Sequence, residues 1–297
     1  METSTTKNLE IVKLLGKGAF GSVYLAHPVN DKKTLYAVKV IEKVALTTSS
    51  RKARACRENV IPRYLNCNHP NILCVRDYNI NNKYVYIVSD YIADAKNLDQ
   101  YTLPSFRTGV GIAYQLADGY TYMHNKNIAH RDIKPGNVVM DGNKPVIIDF
   151  DLACFQGINV GDRINCSGRA GTPTYMAPEV LLSEYAEGVD WFAADVYSLG
   201  GVLFSLFTNH NRAYTVPPKP LSPKKTPRKV HFAAGIAAKE SPKKPSELEK
   251  KVAKDEPDKL NTPDPLLNLL VTEMMSRNPK DRPSMARVSN VLKMMLA

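Results

Sequence analysis

The sequence has no uninterrupted apolar run of about 18 residues, the length that a membrane-spanning helix needs. Residues 1–10 are polar and lack the apolar stretch of a signal peptide. The five cysteines show no CxxC spacing, and their odd count favours a reducing compartment over a disulfide framework. We therefore expect an intracellular protein, cytoplasmic or nuclear, that has no membrane partner and does not rely on disulfides.

Basic residues outnumber acidic residues. The sequence has 40 lysines and arginines and 29 acidic residues, which gives a net charge of +11. More than half of this excess lies in residues 217–259, which hold 12 basic residues, six acidic residues and eight of the 20 prolines. Such a composition is typical of an exposed, partly disordered insert. The positive charge favours acidic partners, such as nucleic acid or phosphate-bearing ligands.

The order of predicted elements indicates the fold class. Short stretches rich in Val, Ile, Leu and Tyr predict antiparallel strands at 9–15, 22–27, 35–41 and 84–88, with one helix at 50–65. Beyond residue 90, apolar residues at helical spacing predict helices at 108–124, 194–207, 265–275 and 285–295, with short strands at 138–140 and 146–148. This order predicts an α+β fold with two lobes. We expect a tail at 1–8, a small β-rich lobe at 9–90 and a large, mainly α lobe at 91–297.

Three glycines form a Gly-x-Gly-x-x-Gly pattern at Gly16, Gly18 and Gly21. Glycine lets backbone amides approach phosphate oxygens because no Cβ stands in the way. A dinucleotide-binding glycine turn leads into a helix, whereas this one leads into residues 22–26, which predict a strand. The pattern therefore indicates a glycine hairpin over phosphates, and an ordinary hairpin turn is the alternative.

Lys39 lies in the predicted strand 35–41, one hairpin after the glycines, where a lysine can reach the α- and β-phosphates of a nucleotide. Such a lysine needs a carboxylate to hold it. Glu58 is the only acidic residue between Glu42 and Asp77, and it lies in the predicted helix. We therefore expect a Lys39–Glu58 ion pair, and an ordinary surface lysine is the alternative.

The segment His130-Arg-Asp-Ile-Lys-Pro-Gly-Asn137 carries the strongest signal. Six fixed residues match by chance at about 10⁻⁸ per start position, which makes coincidence an inadequate explanation. Asp132 would accept the proton of a hydroxyl group. Lys134 would stabilise the negative charge of the phosphoryl group during its transfer, and Asn137 would bind Mg²⁺. Asp149 follows the next apolar strand, where it would give Mg²⁺ an oxygen ligand.

In their order along the chain, these residues resemble the eukaryotic protein kinase family, from Gly16 to about Arg282. The resemblance implies the bilobal kinase fold, ATP and Mg²⁺ as cofactors, and transfer of the γ-phosphate of ATP to protein substrates. Lys134 favours serine and threonine acceptors over tyrosine, and dual specificity is the alternative. The motifs assign no subfamily.

The resemblance also implies further site residues. ATP would lie between the lobes against the glycine hairpin and the strands that follow it, at Leu15, Gly16, Lys17, Gly18, Ala19, Phe20, Gly21, Ser22, Val23, Ala37, Lys39, Ser89, Asp90 and Val139. Away from the centre, Asp195 would tie down the catalytic loop, and Glu179 would form a buried ion pair with Arg282.

Residues 171–179 resemble the end of a kinase activation segment, which would also contain Ser167. The resemblance implies that Thr172 contacts the catalytic aspartate and lysine. Arg131 precedes the catalytic aspartate, and an arginine there often receives an activating phosphate. We expect Ser167 to carry that phosphate, and constitutive activity is the alternative.

Three residues depart from the family pattern. Asp151 stands where glycine is usual and restricts the backbone, so we expect Phe150 to point inward and the outward arrangement to be rare, with a harmless substitution as the alternative. Pro62, four residues after Glu58, is expected to kink the helix or end it early. Ser89 occupies the gatekeeper position, where a small residue should open a pocket behind the adenine.

The basic insert repeats one tetrapeptide at Ser222-Pro-Lys-Lys, Thr226-Pro-Arg-Lys and Ser241-Pro-Lys-Lys. These copies resemble sites for proline-directed kinases and minor-groove elements of chromatin tails, and residues 223–229 resemble a nuclear import signal. A docking or regulatory protein, or weak DNA or other polyanion binding, is therefore expected there, with a solvated loop as the alternative. For the whole chain, a pseudokinase scaffold and a nucleic-acid-binding protein remain as rival interpretations.

Overall fold

Runs of β-branched and aromatic residues form a five-stranded antiparallel sheet in the computed structural model, which describes residues 8–18, 21–161, 164–183, 188–209, 250 and 257–297. The strands are β1 (Leu9–Lys17), β2 (Ser22–Pro28), β3 (Tyr36–Glu42), β4 (Val75–Ile80) and β5 (Tyr84–Asp90). Their order in the sheet is β1-β2-β3-β5-β4. Sequence analysis missed β4, because its Arg, Asp and Asn residues obscure the apolar alternation.

One helix, α1 (Ser49–Leu65), packs against β4. The Thr48 side chain caps its start by accepting a backbone hydrogen bond, and Asn66 ends it in the left-handed conformation at φ 55°. Of the two outcomes expected for Pro62, a kink or an early end, the early end is wrong, because the helix continues for three more residues. Pro62 lies in the last turn, where its missing N–H removes only the hydrogen bond to the Glu58 carbonyl.

Helices dominate the chain after residue 90 and bury the main apolar core. In the described residues the α-helices of this part are α2 (Phe106–Asn125), α3 (Pro178–Leu182), α4 (Trp191–Phe207), α5 (Pro265–Met274) and α6 (Met285–Met294). Helix α4 is apolar around most of its circumference and buried along nearly its whole length, which makes it the central helix. A sheet-rich part followed by a helical part confirms the α+β, bilobal fold. The lobe boundaries at 9–90 and 91–297 stay predictions.

Two small sheets position the segments that matter for chemistry. One contains β6 (Lys96–Asn97), β8 (Val138–Asp141) and β9 (Lys144–Ile147), and the other contains β7 (Ile128–Ala129) and β10 (Cys154–Phe155). Residues 130–137 connect β7 to β8, and residues 149–151 lie between β9 and β10. Because β8 pairs with β9 and β7 pairs with β10, the two segments are held side by side.

Four of the five cysteines form two disulfides, Cys67–Cys74 and Cys154–Cys166, and Cys56 is free. The expectation that the chain does not rely on disulfides was wrong on this point. The spacing of the cysteines along the sequence does not indicate which of them pair, but the fold brings the members of each pair together. Backbone hydrogen bonds from Phe155 to Ile164 and from Cys166 to Phe155 hold Cys166 beside β10.

Nowhere in the described residues is a helix both long enough and apolar enough to cross a bilayer. The basic insert predicted at 217–259 lies outside the described residues, apart from residue 250 and residues 257–259. Ala19 and Phe20 of the glycine hairpin also lie outside them.

Candidate active site

The glycine hairpin joins β1 to β2. Gly16 lies opposite Val23, and the Gly18 N–H donates to the Gly21 carbonyl at 2.8 Å. A Cβ on Gly21 would overlap the Val40 carbonyl of β3, so the packing of the turn requires glycine there. In the described part of the chain, no neighbouring atom lies within 4 Å of the position that a Cβ on Gly16 would take. The backbone at Gly16 is therefore open to the approach of a phosphate group.

The ion pair expected between Lys39 and Glu58 is present. Lys39 lies opposite Val23, so its position on β3 is next to the glycine hairpin. Burial alone would lower the pKa of Lys39, but attraction by Glu58 and Asp149 outweighs burial and raises it. Burial raises the pKa of Glu58 to about 7, and Lys39 opposes that rise. The lysine therefore stays charged and offers a cation to phosphate oxygens.

Asp132 lies at the centre of a hydrogen-bond network. Its carboxylate accepts hydrogen bonds from Lys134 Nζ at 2.5 Å, Thr172 Oγ1 at 2.7 Å and Asn137 Nδ2 at 3.0 Å. Burial alone would raise the pKa of Asp132, but the hydrogen bonds from Lys134 and Thr172 outweigh burial and lower it. The carboxylate is therefore ionised at neutral pH and able to accept a proton.

Asp195 of α4 fixes the backbone just before Asp132. It accepts hydrogen bonds from the N–H groups of His130 and Arg131, each at 2.8 Å, and from His124 Nε2 at 2.9 Å. Arg131 adopts φ 67°, which a non-glycine residue keeps only when its surroundings hold it. Sequence analysis missed His124, whose only signal was a histidine near the end of a predicted helix.

Asn137 and Asp149 lie on neighbouring segments, which a hydrogen bond from the Ile148 N–H to the Asn137 carbonyl joins at 3.0 Å. Asp149 Oδ1 is buried and has no hydrogen-bond partner among the described residues. A buried carboxylate oxygen without a partner fits a hard cation. The same residues contain no cluster of three or more His, Cys, Asp or Glu side chains arranged for a metal. Asn137 and Asp149 would supply two oxygen ligands, and Mg²⁺ usually takes one or two carboxylates and completes its shell with water and phosphate.

Phe150 points inward, with 1% of its surface exposed and its ring centroid 5.7 Å from that of His130. This is the arrangement expected from Asp151, while the rarity of the outward arrangement stays a prediction. Asp151 is itself buried, and its carboxylate accepts a hydrogen bond from Arg54 of α1 at 3.2 Å. The segment 149–151 is therefore attached to α1 as well as to the core.

Ser89, the residue expected at the gatekeeper position, lies on β5 and is buried, with its Oγ donating to the Ala37 carbonyl at 3.3 Å. Asp90 follows it and accepts two hydrogen bonds from Arg76, at 2.7 and 2.8 Å. Apart from the glycines, the other residues expected to bind the nucleotide lie on four strands, β1, β2, β3 and β8. Those within the described part of the chain are Leu15, Lys17, Ser22, Val23, Ala37, Lys39 and Val139.

Two buried arginines, Arg57 and Arg131, donate hydrogen bonds to the backbone of residues 165–168, beside the predicted activation segment. Arg131 donates to the backbone carbonyls of Ser167 and Gly168, and its guanidinium packs 4.1 Å from the Trp191 ring centroid. Arg57 donates to the backbone carbonyl of residue 165 at 3.1 Å. Nε of both arginines and Nη1 of Arg131 are buried without a hydrogen-bond partner in the described part of the chain. Burial and the nearby Arg57 lower the pKa of Arg131 to about 9.

Glu179 and Arg282 form a two-bond ion pair at 2.7 and 2.8 Å. The Arg282 side chain is completely buried, and it also donates to the backbone carbonyls of Ser276 and Ala193. The pair thus joins the end of the activation segment to the segment before α6.

The comparisons with known proteins agree with this geometry. Residues 9–293 match the family described as protein kinase domain. The chain is 30% identical over 269 residues to a protein of Acanthamoeba polyphaga mimivirus whose name describes a serine/threonine-protein kinase, covering 87% of this chain and 86% of that relative.

Two further relatives are CBL-interacting protein kinase 4 of Oryza sativa subsp. japonica, 34% identical over 212 residues, and serine/threonine-protein kinase chk-2 of Caenorhabditis elegans, 32% identical over 210 residues. The alignments cover 68% and 66% of this chain but only 44% and 42% of those two relatives. The chain belongs to the protein kinase family and is a serine/threonine protein kinase, an enzyme that uses ATP and Mg²⁺.

Proposed function

We propose that Asp132 is the catalytic base of this kinase and that serine and threonine hydroxyls of other proteins are its acceptors. The observation that carries the proposal is the ionised Asp132 carboxylate between Lys134 and Thr172. Asp132 orients the acceptor hydroxyl and takes its proton as the oxygen attacks the γ-phosphorus, while the bond from that phosphorus to the β–γ bridging oxygen breaks and ADP leaves. Lys134, one hydrogen bond away, offsets the negative charge of the phosphoryl group in transfer.

The remaining residues position the nucleotide. Lys39, held by Glu58, binds the α- and β-phosphates, and the backbone at Gly16 and Gly18 covers them. Asn137 and Asp149 would hold Mg²⁺, which neutralises charge on the phosphate oxygens when bound. Catalysis is therefore mainly positioning and charge stabilisation.

Acceptor specificity tests the proposal. Three peptides that differ only in the acceptor, serine, threonine or tyrosine, are incubated together with γ-labelled Mg-ATP, with an alanine peptide as the blank. We expect label on the serine and threonine peptides only. Label mainly on the tyrosine peptide would contradict the proposed acceptor class.

Ser89 is expected to admit adenine analogues that carry a bulky group facing the gatekeeper. We expect Ser89→Phe to raise the inhibitory concentration of such an analogue by about tenfold or more, since one well-placed group contributes 1–3 kcal/mol in a pocket. The unsubstituted analogue is the control and should inhibit both proteins alike. Equal potency of the bulky analogue on both proteins would show that Ser89 does not face the adenine.

Ser167 is the proposed site of an activating phosphate. Its backbone carbonyl is held by Arg131, its side chain is exposed, and the buried arginine N–H groups nearby are donors without described partners. A phosphate adds a charge of about −1.5 to −2 and three acceptor oxygens, which suits these donors. It would thereby order the activation segment next to Thr172.

Phosphorylation of Ser167 is expected to raise kcat/KM several-fold, measured on protein separated into its two phosphorylation states. Ser167→Ala should match the unphosphorylated wild type. Arg57→Met should lose the response to the phosphate while keeping the unphosphorylated rate. Equal rates for both states of the wild type would instead establish constitutive activity.

The basic insert is the proposed site for a polyanion such as duplex DNA, or for a docking or regulatory protein, and residues 223–229 for nuclear import. The support is its charge, 12 basic against six acidic residues in residues 217–259. Replacing the six basic residues of the tetrapeptides by glutamine should flatten the plot of log Kd for DNA against log salt by about 0.9 per lost phosphate contact. An unchanged slope would exclude these tetrapeptides from DNA binding. The residues to replace are Lys224, Lys225, Arg228, Lys229, Lys243 and Lys244.

A further inference from the structure

Arg54 and Asp151 form an ion pair that connects α1 to the segment carrying Asp149. Arg54 Nη1 donates to Asp151 Oδ2 at 3.2 Å. The Asp151 side chain is 9% exposed and that of Arg54 is 32% exposed, so the pair is partly shielded from water. Shielding makes this attraction stronger than that of a surface pair.

The backbone at position 151 accommodates aspartate without strain. Asp149 lies at φ 65°, but Asp151 is not among the described non-glycine residues with positive φ. The usual family glycine is therefore not required in this conformation. Arg54 offsets the cost of burying a carboxylate there.

Helix α1 presents two charged side chains to the active site from one face. Arg54 and Glu58 are four residues apart, about one helical turn, so they lie one above the other. Glu58 contacts Lys39, and Arg54 contacts Asp151. Moving α1 away from the cleft would therefore break both ion pairs together.

We propose that Arg54 and Asp151 are positioning residues, which hold α1 against residues 149–151 and so keep Glu58 on Lys39 and Asp149 in place. The inference rests on the proposed function, because it assigns the two residues an effect on nucleotide binding by Lys39 and Asp149. It also gives the departure from glycine a role, since Asp151 supplies an attachment that glycine cannot make.

The test compares Arg54→Met, Asp151→Asn and the double variant with wild type. Lys52→Met, an exposed cation of the same helix, is the matched control, and Arg54→Lys is the conservative variant. Kd for Mg-ATP is measured by titration calorimetry, and kcat and KM are measured for ATP and for a peptide. Each single variant should raise Kd and KM for ATP by about tenfold, a size typical of contacting charges.

The double variant should have a Kd for Mg-ATP no higher than that of the single variant with the higher Kd. Arg54→Lys should retain most of the affinity for Mg-ATP. KM for the peptide and the properties of Lys52→Met should not change. Unchanged Kd for Mg-ATP, additive single effects, or a lower kcat with unchanged KM for ATP would overturn the inference. A wild type that binds Mg-ATP but transfers no phosphate would refute the proposed function, while the Kd series would still decide the role of the pair.

Discussion

Asp132→Asn is expected to lower kcat by about 10²–10⁴-fold, the usual contribution of a general base. Asparagine has nearly the same shape, so the substitution removes the proton acceptor and its charge while leaving the packing in place. Kd for Mg-ATP should change little, because the Lys39–Glu58 pair is not among the hydrogen-bond partners of Asp132, and the amide oxygen of an asparagine can still accept the hydrogen bond from Asn137, a proposed Mg²⁺ ligand. Single-turnover transfer with a peptide acceptor, beside calorimetric binding of Mg-ATP, measures both quantities.

The matched control is Asp141→Asn, which removes an exposed carboxylate at the end of β8. It should leave kcat and the free energy of unfolding unchanged. A kcat for Asp132→Asn within a few-fold of wild type would show that Asp132 is not the base. Loss of ATP binding in the same variant would show instead that the substitution damages the site as a whole.

Arg282→Met is expected to lower the free energy of unfolding by about 3–5 kcal/mol, because it leaves Glu179 partly buried without its cation. The loss is large since the Arg282 side chain is completely buried and makes hydrogen bonds to Glu179 and to backbone carbonyls. Urea unfolding followed by circular dichroism measures the change.

Arg287→Met is the control for this substitution, because Arg287 pairs with Glu273 at 3.9 Å on the surface and is 67% exposed. Its removal should cost about 1 kcal/mol or less. The double variant Arg282→Met with Glu179→Leu should regain part of the loss, since it leaves no unpaired buried charge. Equal small losses for Arg282→Met and Arg287→Met would contradict the importance of the buried pair.

Features fixed within one short segment were predictable from the sequence. Residues 130–137 carry their chemical types at a spacing that the chain itself sets, and Lys39 follows the glycine hairpin by one strand. Glu58 was predicted as the partner of Lys39 because it is the only acidic residue between Glu42 and Asp77. Four of the five strands of the large sheet and the long helices followed from apolar periodicity, which burial on a sheet face or a helix face requires.

Features that depend on contacts between distant segments were not predictable. Arg57 and Trp191 approach Arg131 only after α1, α4 and the activation segment have packed together. Arg54 contacts Asp151, from which it is separated by 97 positions in the sequence. The two disulfides likewise depend on the fold, and the helix tolerates Pro62 because only its last turn is involved. The pattern of residues within a short segment contains no information about contacts between segments that are distant in sequence.

The most direct test of the central claim measures label transfer from γ-labelled Mg-ATP to a serine/threonine peptide library by the wild type, with Mg-ATP affinity measured on the same sample. An assembled site of Lys39, Asp132 and Asp149 predicts Mg²⁺-dependent transfer that disappears when the metal is chelated. A folded protein that binds Mg-ATP tightly and transfers no label to any acceptor would contradict it and would favour a scaffold that binds nucleotide without turnover.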